Sequence, residues 1–249
     1  MGPWELYLLF FLVALVYSSV GFGGGSSYLA LLALFGVDVL VMRSTSLLCN
    51  ITVVTGSVFI FYKAGFLNLR KALPLVLASM PMAFLGGYVP VNKDTFKLIL
   101  GATLVLAGVM TWFSPKLRQL DLGSGSSPRQ SNAINAAMGG GIGFLSGMVG
   151  IGGGIFLAPL LYLTKWDRPK VIAATSSFFI LVNSVFGLGG QMSSPQFRMD
   201  WSFALPLMLC VLAGGQIGVR LATRKFPSVY IRKATALLVL YVGLRLLFL

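Results

Sequence analysis

The stretches "GFGGG", residues 21–25, and "GIGGG", residues 150–154, decide how this chain folds. Each lies inside a long charge-free run, 6–37 for the first and 130–164 for the second. A continuous helix over 6–37 would be about 48 Å long at about 1.5 Å per residue, which is too long for one upright crossing of a bilayer core of roughly 30 Å. Glycine lets a chain turn sharply, so we expect each motif to break its helix into a hairpin that enters the membrane and turns back.

The rest of the chain has the composition of a membrane protein. Hydrophobic residues make up 57% and charged residues 10% of the 249 residues, whereas soluble domains carry roughly a quarter of charged residues. Further charge-free runs cover 44–62, 72–92, 98–115, 171–197 and 201–219. Runs of this length are typical of membrane-spanning helices. The sequence therefore predicts an all-α, polytopic membrane protein.

The two glycine motifs belong to a longer internal repeat. "SVGFGGGSSYLALL" (19–32) resembles "GMVGIGGGIFLAPLL" (147–161), and "RSTSLLCN" (43–50) resembles "AATSSFFI" (173–180). "ALPLVLASM" (72–80) and "KLILGATLVLAGV" (97–109) return in the same order at 204–212 and 232–244. We therefore predict a first membrane repeat at 1–113, a flexible Gly-, Ser- and Pro-rich cytoplasmic linker at 114–132 and a second membrane repeat at 133–249. Each repeat is predicted to hold one glycine-broken hairpin and three spanning helices.

The basic residues predict how the repeats are oriented. With this arrangement, one side of the membrane receives fourteen of the 19 Lys and Arg residues and the other side receives five. The smaller set comprises Arg43, Lys93, Lys97, Arg198 and Arg245. The positive-inside rule makes the side with fourteen cytoplasmic, which places both termini outside a multi-pass protein of the cell (inner) membrane. Each repeat then crosses an odd number of times, so the second repeat is expected to be inverted relative to the first.

The candidate binding site combines the glycine tips with polar helix faces. A helix that begins at a glycine tip presents unpaired N–H groups and a partial positive charge, which suits an anion near the bilayer midplane. Polar residues at helical spacing follow each hairpin and could donate hydrogen bonds to it. The predicted substrate-binding residues are Gly23, Gly24, Gly25, Ser26, Thr45, Ser46, Asn50, Gly152, Gly153, Gly154, Thr175, Ser176 and Asn183. The alternative, that the glycines and the polar faces only pack helices together, stays open.

Several classes of function lack the residues that they need. The chain has no histidine, and its six acidic residues all fall at segment ends or in loops. These features argue against an enzyme, a metal site, a cofactor or a side-chain proton relay. The net charge of +13 resides in short loops without interleaved aromatic residues, so we expect the bilayer and no nucleic acid as a partner.

At these motifs the chain resembles the TauE/SafE family of sulfite exporters, also called the TSUP family. Gly150, the glycines 152–154, Pro159 and Leu161 fulfil the family pattern GxGGGxxxxPxL, whereas the first copy carries Ala30 in place of the proline. The resemblance implies a secondary transporter that exports small sulfur-containing anions such as sulfite, thiosulfate or organosulfonates. An anion channel and a non-transporting membrane scaffold or assembly subunit remain alternatives, and pairing of two copies as a homodimer is left open.

Overall fold

The computed structural model describes residues 3–18, 22–119, 132–164, 166–221 and 229–248. Over these residues the chain is helical, with ten helices. They are α1 (Pro3–Ser18), α2 (Gly25–Leu34), α3 (Val39–Lys63), α4 (Leu69–Tyr88), α5 (Lys93–Gln119), α6 (Asn132–Val149), α7 (Gly154–Leu163), α8 (Pro169–Met192), α9 (Trp201–Leu221) and α10 (Val229–Phe248). The predicted all-α fold is therefore confirmed.

The helix breaks fall at the glycine motifs, as predicted. The first charge-free run divides into α1 and the ten-residue α2, and the equivalent run divides into α6 and the ten-residue α7. Five helices precede the joint between the predicted repeats, and five follow it. When the helices are paired in order, the first four pairs have similar lengths, whereas α5 has 27 residues and α10 has 20. Most of the predicted linker, together with Gly21, Met1 and Leu249, lies outside the described residues.

The helices include several that can cross a membrane. Among the described residues, α3, α4, α8 and Trp201–Arg220 of α9 are long and apolar enough to do so. Large apolar side chains are exposed along these helices, for example Leu77 at 54% on α4 and Leu209 at 67% on α9. Exposed side chains of this kind are suited to lipid, where all backbone polar groups must be paired within helices. The chain is thus a polytopic membrane protein.

Glycines let two pairs of helices approach to backbone contact. A Cβ added at Gly139, Gly143 or Gly147 of α6 would collide with α4, where the nearest atoms belong to Leu75, Ser79 and Ala83. The four-residue spacing on both helices places these contacts along a single face of each. Gly214 and Gly218 of α9 meet the carbonyls of Phe11 and Leu15 of α1 in the same way. Close packing through small residues is a common means of associating helices in lipid.

The loops gather at two ends of the molecule. At the Lys71 end, defined by the start of α4, Lys71 Nζ lies 2.6 Å from Asp167 Oδ2 in the α7–α8 loop. At the Arg43 end, defined by the start of α3, Arg43 Nη2 donates to the carbonyl of Gly87 in the last turn of α4, at 3.3 Å. Helix α4 has 20 residues and is about 30 Å long, so the two ends are a membrane thickness apart.

The two short helices run toward opposite ends. Helix α2 ends at Leu34, shortly before α3 begins at the Arg43 end. Helix α7 ends at Leu163, shortly before Asp167 at the Lys71 end. Both therefore begin in the interior between these ends, where the glycine motifs lie.

Candidate functional site

The two glycine loops share one backbone design. In each loop the residue that follows the first glycine donates its N–H to the carbonyl five residues earlier, from Phe22 to Tyr17 at 2.9 Å and from Ile151 to Ser146 at 3.2 Å. Each short helix then begins after a left-handed glycine, Gly24 with φ 114° and Gly153 with φ 84°. L-residues rarely adopt such φ values, which explains the third glycine of each motif.

Both loops line a single cavity. The cavity has a volume of about 40 Å³. Its walls are formed by Val16, Tyr17, Phe22, Gly23, Gly24, Gly25, Ser26, Ile151, Gly154, Ile155, Ala158, Pro159 and Ile180. A single water needs roughly 10–15 Å³ on this measure, so the cavity has room for about three or four water-sized groups. The lining residues include no acidic and no basic side chain.

The beginnings of α2 and α7 supply the polar character of this cavity. The first N–H groups of a helix have no partner within it, and the N-terminus carries a partial positive charge of about half an electron. Gly25 and Ser26 are the first two residues of α2, and Gly154 and Ile155 are the first two of α7. All four line the cavity. Two positive helix ends therefore face one small space, an arrangement that favours an anion.

Asn50 ties the two loops together from α3. Its Nδ2 donates to the carbonyl of Ile151 at 2.9 Å, while its fully buried Oδ1 has no hydrogen-bond partner. A Cβ added at Gly25 would collide with this same amide and with the Ile151 carbonyl. One turn earlier on α3, the Ser46 hydroxyl donates to the carbonyl of Gly25 at 3.2 Å. The first copy's polar helix face thus positions glycine loops of both copies.

The second copy contributes buried hydroxyls. Thr175 and Ser176 are fully buried, and their hydroxyls have no hydrogen-bond partner, as is also true of Thr45 on α3. The carbonyl of Ser176 lies 3.8 Å from the position of a Cβ on Gly154, which places this segment of α8 beside the start of α7. Unpaired buried hydroxyls are costly, and native structures usually supply them with a partner. They are therefore available to a ligand or to water.

The predicted residues do not all occupy equivalent places. Gly23, Gly24, Gly25, Ser26 and Gly154 line the cavity directly. Gly152 and Gly153 shape the second loop with φ values of 82° and 84°, and Ser46 and Asn50 contact the loops. The amide of Asn183 donates to Phe179 within α8, at 3.0 Å. Its contribution to the site stays a prediction.

Sequence reasoning missed the apolar walls. Ile180 reaches both loops, lying 3.3 Å from a Cβ position on Gly23 and 3.0 Å from one on Gly152. The repeat alignment of 43–50 with 173–180 pairs Asn50 with Ile180. The alignment could therefore have indicated that Ile180 lies near the glycine loops, as its counterpart Asn50 does. Tyr17 and Ala158 had no such signal, because an aromatic or small residue in an apolar helix is ordinary in a membrane protein.

A multi-pass helical protein in which two broken helices meet at a buried, anion-compatible cavity has the construction of a membrane transporter. The chain belongs to the sulfite exporter TauE/SafE family, whose model matches residues 6–246. The predicted family is therefore confirmed, and it is a family of transporters rather than enzymes.

Two relatives align over almost the whole chain. The probable membrane transporter protein y4hK of Sinorhizobium fredii (strain NBRC 101917 / NGR234) is 32% identical, with 97% of each chain covered. The probable membrane transporter protein YunE of Bacillus subtilis (strain 168) is 26% identical, with 98% of this chain and 96% of the relative covered. No solved structure gives a significant match.

Proposed function

We propose that the protein is a secondary transporter that exports small sulfur oxyanions, with sulfite as the anion that best fits the cavity. The observation that carries this proposal is the single cavity lined by the beginnings of both short helices and by no charged side chain. Helix N-termini stabilise an anion without a fixed positive charge, so the anion is bound without being held too tightly for release. The name of the family supplies the direction and the sulfur chemistry.

The size of the cavity favours the smallest member of the predicted substrate class. Sulfite has one sulfur and three oxygens, which matches a volume of about 40 Å³ with room for three or four water-sized groups. Thiosulfate is larger by one sulfur atom, and organosulfonates carry a carbon chain. Binding of either would require Ile180 or Pro159 to move, because both form part of the wall.

The proposed contacts divide between backbone and side chains. The N–H groups of Gly25, Ser26 and Gly154 donate to the oxyanion. The buried, unpaired hydroxyls of Thr45, Thr175 and Ser176 do not line the cavity itself and are proposed as further donors. A hydrogen bond to a charged group contributes about 1.5–3 kcal/mol, so three or four of them supply on the order of 5–12 kcal/mol to offset the entropy lost on association.

The proposed architecture is a pair of inverted repeats in the inner membrane, with both termini outside. The opposite directions of α2 and α7 support it. The packing between repeats supports it too: α1 packs on α9, and its counterpart α6 packs on α4, the counterpart of α9. Inverted repeats whose broken helices meet at the midplane can expose one site alternately to either side. Alternating exposure would distinguish this transporter from an anion channel.

The test is transport by the purified protein in liposomes. Vesicles loaded with sulfite, thiosulfate or methanesulfonate are diluted into buffer free of these anions under anaerobic conditions, and efflux is compared with that from protein-free vesicles. We expect sulfite efflux that saturates and is accelerated by sulfite on the opposite side, because counterflow requires alternating access. Efflux without saturation or counterflow would indicate a channel. No efflux of any of the three anions would contradict the proposed function and favour a scaffold.

A further inference from the structure

Arg43 occupies an unusual position for a basic residue in a membrane protein. It is only 4% exposed, and among the described residues it is the one charged side chain in the buried class. It lies in the second turn of α3, on a helix that can span the membrane. Ionisable residues inside a membrane are rare and usually mark the pathway of an ion or substrate, because burying their charge is costly.

The contacts of the Arg43 guanidinium leave its charge without a carboxylate. Nη2 donates to the Gly87 carbonyl at 3.3 Å, and the guanidinium carbon lies 5.8 Å from the centre of the Phe96 ring. Nε is buried and has no hydrogen-bond partner. An arginine presents five N–H donors and keeps its charge, so a buried one with an unpaired nitrogen needs an anion or water.

Two carboxylates at this end, those of Asp38 and Asp200, are engaged elsewhere. Asp38 accepts from the Leu40 N–H and lies 3.7 Å from Lys93 Nζ. Asp200 accepts from the Ser202 hydroxyl and the Phe203 N–H, and these hydrogen bonds lower the pKa of its carboxyl group. Neither of them provides the missing partner of Arg43.

Two adjoining cavities lie beside Arg43 at the Arg43 end. The outer one has a volume of about 410 Å³ and is lined in part by Lys93, Gln196 and Arg198. The inner one, of about 10 Å³, is lined by Arg43 itself, together with Gln191 and Ser194. Both are bounded by Leu40, Gln196, Phe197 and Arg198, so the inner cavity adjoins the outer one.

The inner cavity is also close to the glycine site. Arg43 and Asn50 are seven residues apart on α3, which is about 10 Å along the helix and close to two full turns, so they lie on nearly the same face. The backbone of Arg43 lies 3.0 Å from a Cβ position on Gly150, at the start of the second glycine motif. Arg43 therefore stands between the outer cavity and the glycine site.

From this geometry we infer that Arg43 forms a second oxyanion-binding site on the path between the glycine site and the Arg43 end, with the body of the anion in the larger cavity and its oxygens toward the guanidinium, because the inner cavity holds only about one water-sized group. The guanidinium supplies the charge, and Gln191 and Ser194 supply neutral hydrogen-bonding groups. This inference rests on the proposed function, because it assigns the second site to the same small oxyanion. Two sites about 10 Å apart let an anion entering one promote departure from the other.

The test counts bound anions. Equilibrium dialysis of the purified protein in nanodiscs of zwitterionic lipid, with ³⁵S-labelled sulfite as the probe, should give two anions per chain for the wild type. Arg43→Gln should bind one, and Arg43→Lys should bind two, with the second about tenfold weaker because lysine is a point charge without the planar fork. Monodispersity in size-exclusion chromatography controls for folding.

A second variant keeps the test independent of the folding of the Arg43 variants. Ser194→Leu fills the inner cavity from the α8–α9 loop and leaves the guanidinium in place, and it should also reduce binding to one anion. One anion per wild-type chain, retained in Arg43→Gln and Ser194→Leu, would overturn the second site and leave the proposed function intact. No binding by the wild type would contradict both.

Discussion

At the scale of single residues, Asn50 links the two repeats next to the glycine loops. It belongs to the first copy, yet its amide hydrogen bond goes to Ile151 of the second copy. Its counterpart in the repeat, Ile180, is apolar and forms part of the cavity wall. The site is therefore asymmetric in its side chains, although the two backbone loops are alike.

Replacing Asn50 tests this assignment. Asn50→Leu has a similar volume but removes the donor to Ile151, which leaves a buried carbonyl unpaired and frees the second loop to shift. We expect sulfite affinity to fall about tenfold or more, corresponding to about 1.4 kcal/mol or more. The measurement is equilibrium binding of ³⁵S-labelled sulfite.

Ser79→Ala is the matched control. Its hydroxyl is buried and donates to Val76 within α4, away from the cavity, so binding should change little. If Asn50→Leu and Ser46→Ala both bind sulfite as the wild type does, the polar faces only pack helices. The site would then have to be sought near Gln191, whose amide is buried, and Gln216, whose amide lies against Gly56.

At the scale of helices, the glycine loops explain why the chain breaks where it does. The α2 helix begins at Gly25, and a side chain there would collide with the Ile151 carbonyl of the other loop. The loops can meet there because Gly25 has no Cβ where it contacts the Ile151 backbone. Glycine therefore has a packing role at Gly25 and a conformational role at Gly24, where φ is 114°.

Alanine substitutions at Gly25 and Gly141 distinguish the effect of packing on stability from the effect of intrinsic helix propensity. Gly25→Ala should force the loops apart, lower stability by about 1–3 kcal/mol and weaken sulfite binding. Gly141→Ala, in the interior of α6 where a Cβ has open space, should instead raise stability by about 0.5–1 kcal/mol. Thermal unfolding in a fixed detergent checks both. Equal melting temperatures for the two variants would show that the loops are not in contact.

The sequence was sufficient for the helices and for the glycine tips, but not for the walls of the cavity. A long charge-free run in lipid must be helical, and a helix break at glycines inside it must be buried in protein or line a cavity, because unpaired backbone is not tolerated in contact with lipid. The partner of Asn50 was not predictable, since Ile151 lies 101 residues away in sequence and meets Asn50 only through the packing of the second glycine loop against α3. Arg43 was assigned to the exterior loops by charge counting, and only the packing of Gly87 and Phe96 around it shows that it is buried.

At the scale of the whole molecule, the inverted arrangement predicts a specific pattern of accessibility. Gly65 in the α3–α4 loop and Gln196 in the α8–α9 loop follow equivalent helices of the two repeats. If the repeats are inverted, single cysteines at these positions should react with a membrane-impermeant maleimide from opposite sides, Gly65→Cys from the cytoplasm and Gln196→Cys from outside.

The parent for this experiment is a variant in which Cys49 and Cys210 are replaced by alanine, because both native cysteines are free. Asp167→Cys provides an internal standard, since Asp167 pairs with Lys71 at the Lys71 end and should label from the same side as Gly65→Cys. Labelling of Gly65→Cys and Gln196→Cys from one side would refute the inverted repeats.

The charge distribution also predicts how export is driven. The cavity walls carry no carboxylate and no basic side chain, and the acidic residues that the structure describes lie at helix ends or in loops. An anion that leaves a cell with a negative interior gains about 2.3 kcal/mol per charge per 100 mV, so a divalent oxyanion at 100 mV gains about 4.6 kcal/mol. That corresponds to an accumulation ratio of more than a thousandfold without a coupled ion.

We therefore expect sulfite efflux from proteoliposomes to follow a potential clamped with potassium and valinomycin, and to be unchanged when a proton gradient is added at the same potential. Vesicles at zero potential provide the control. A strict requirement for the proton gradient at a fixed potential would show that a titrating group outside the described cavity couples proton movement to transport.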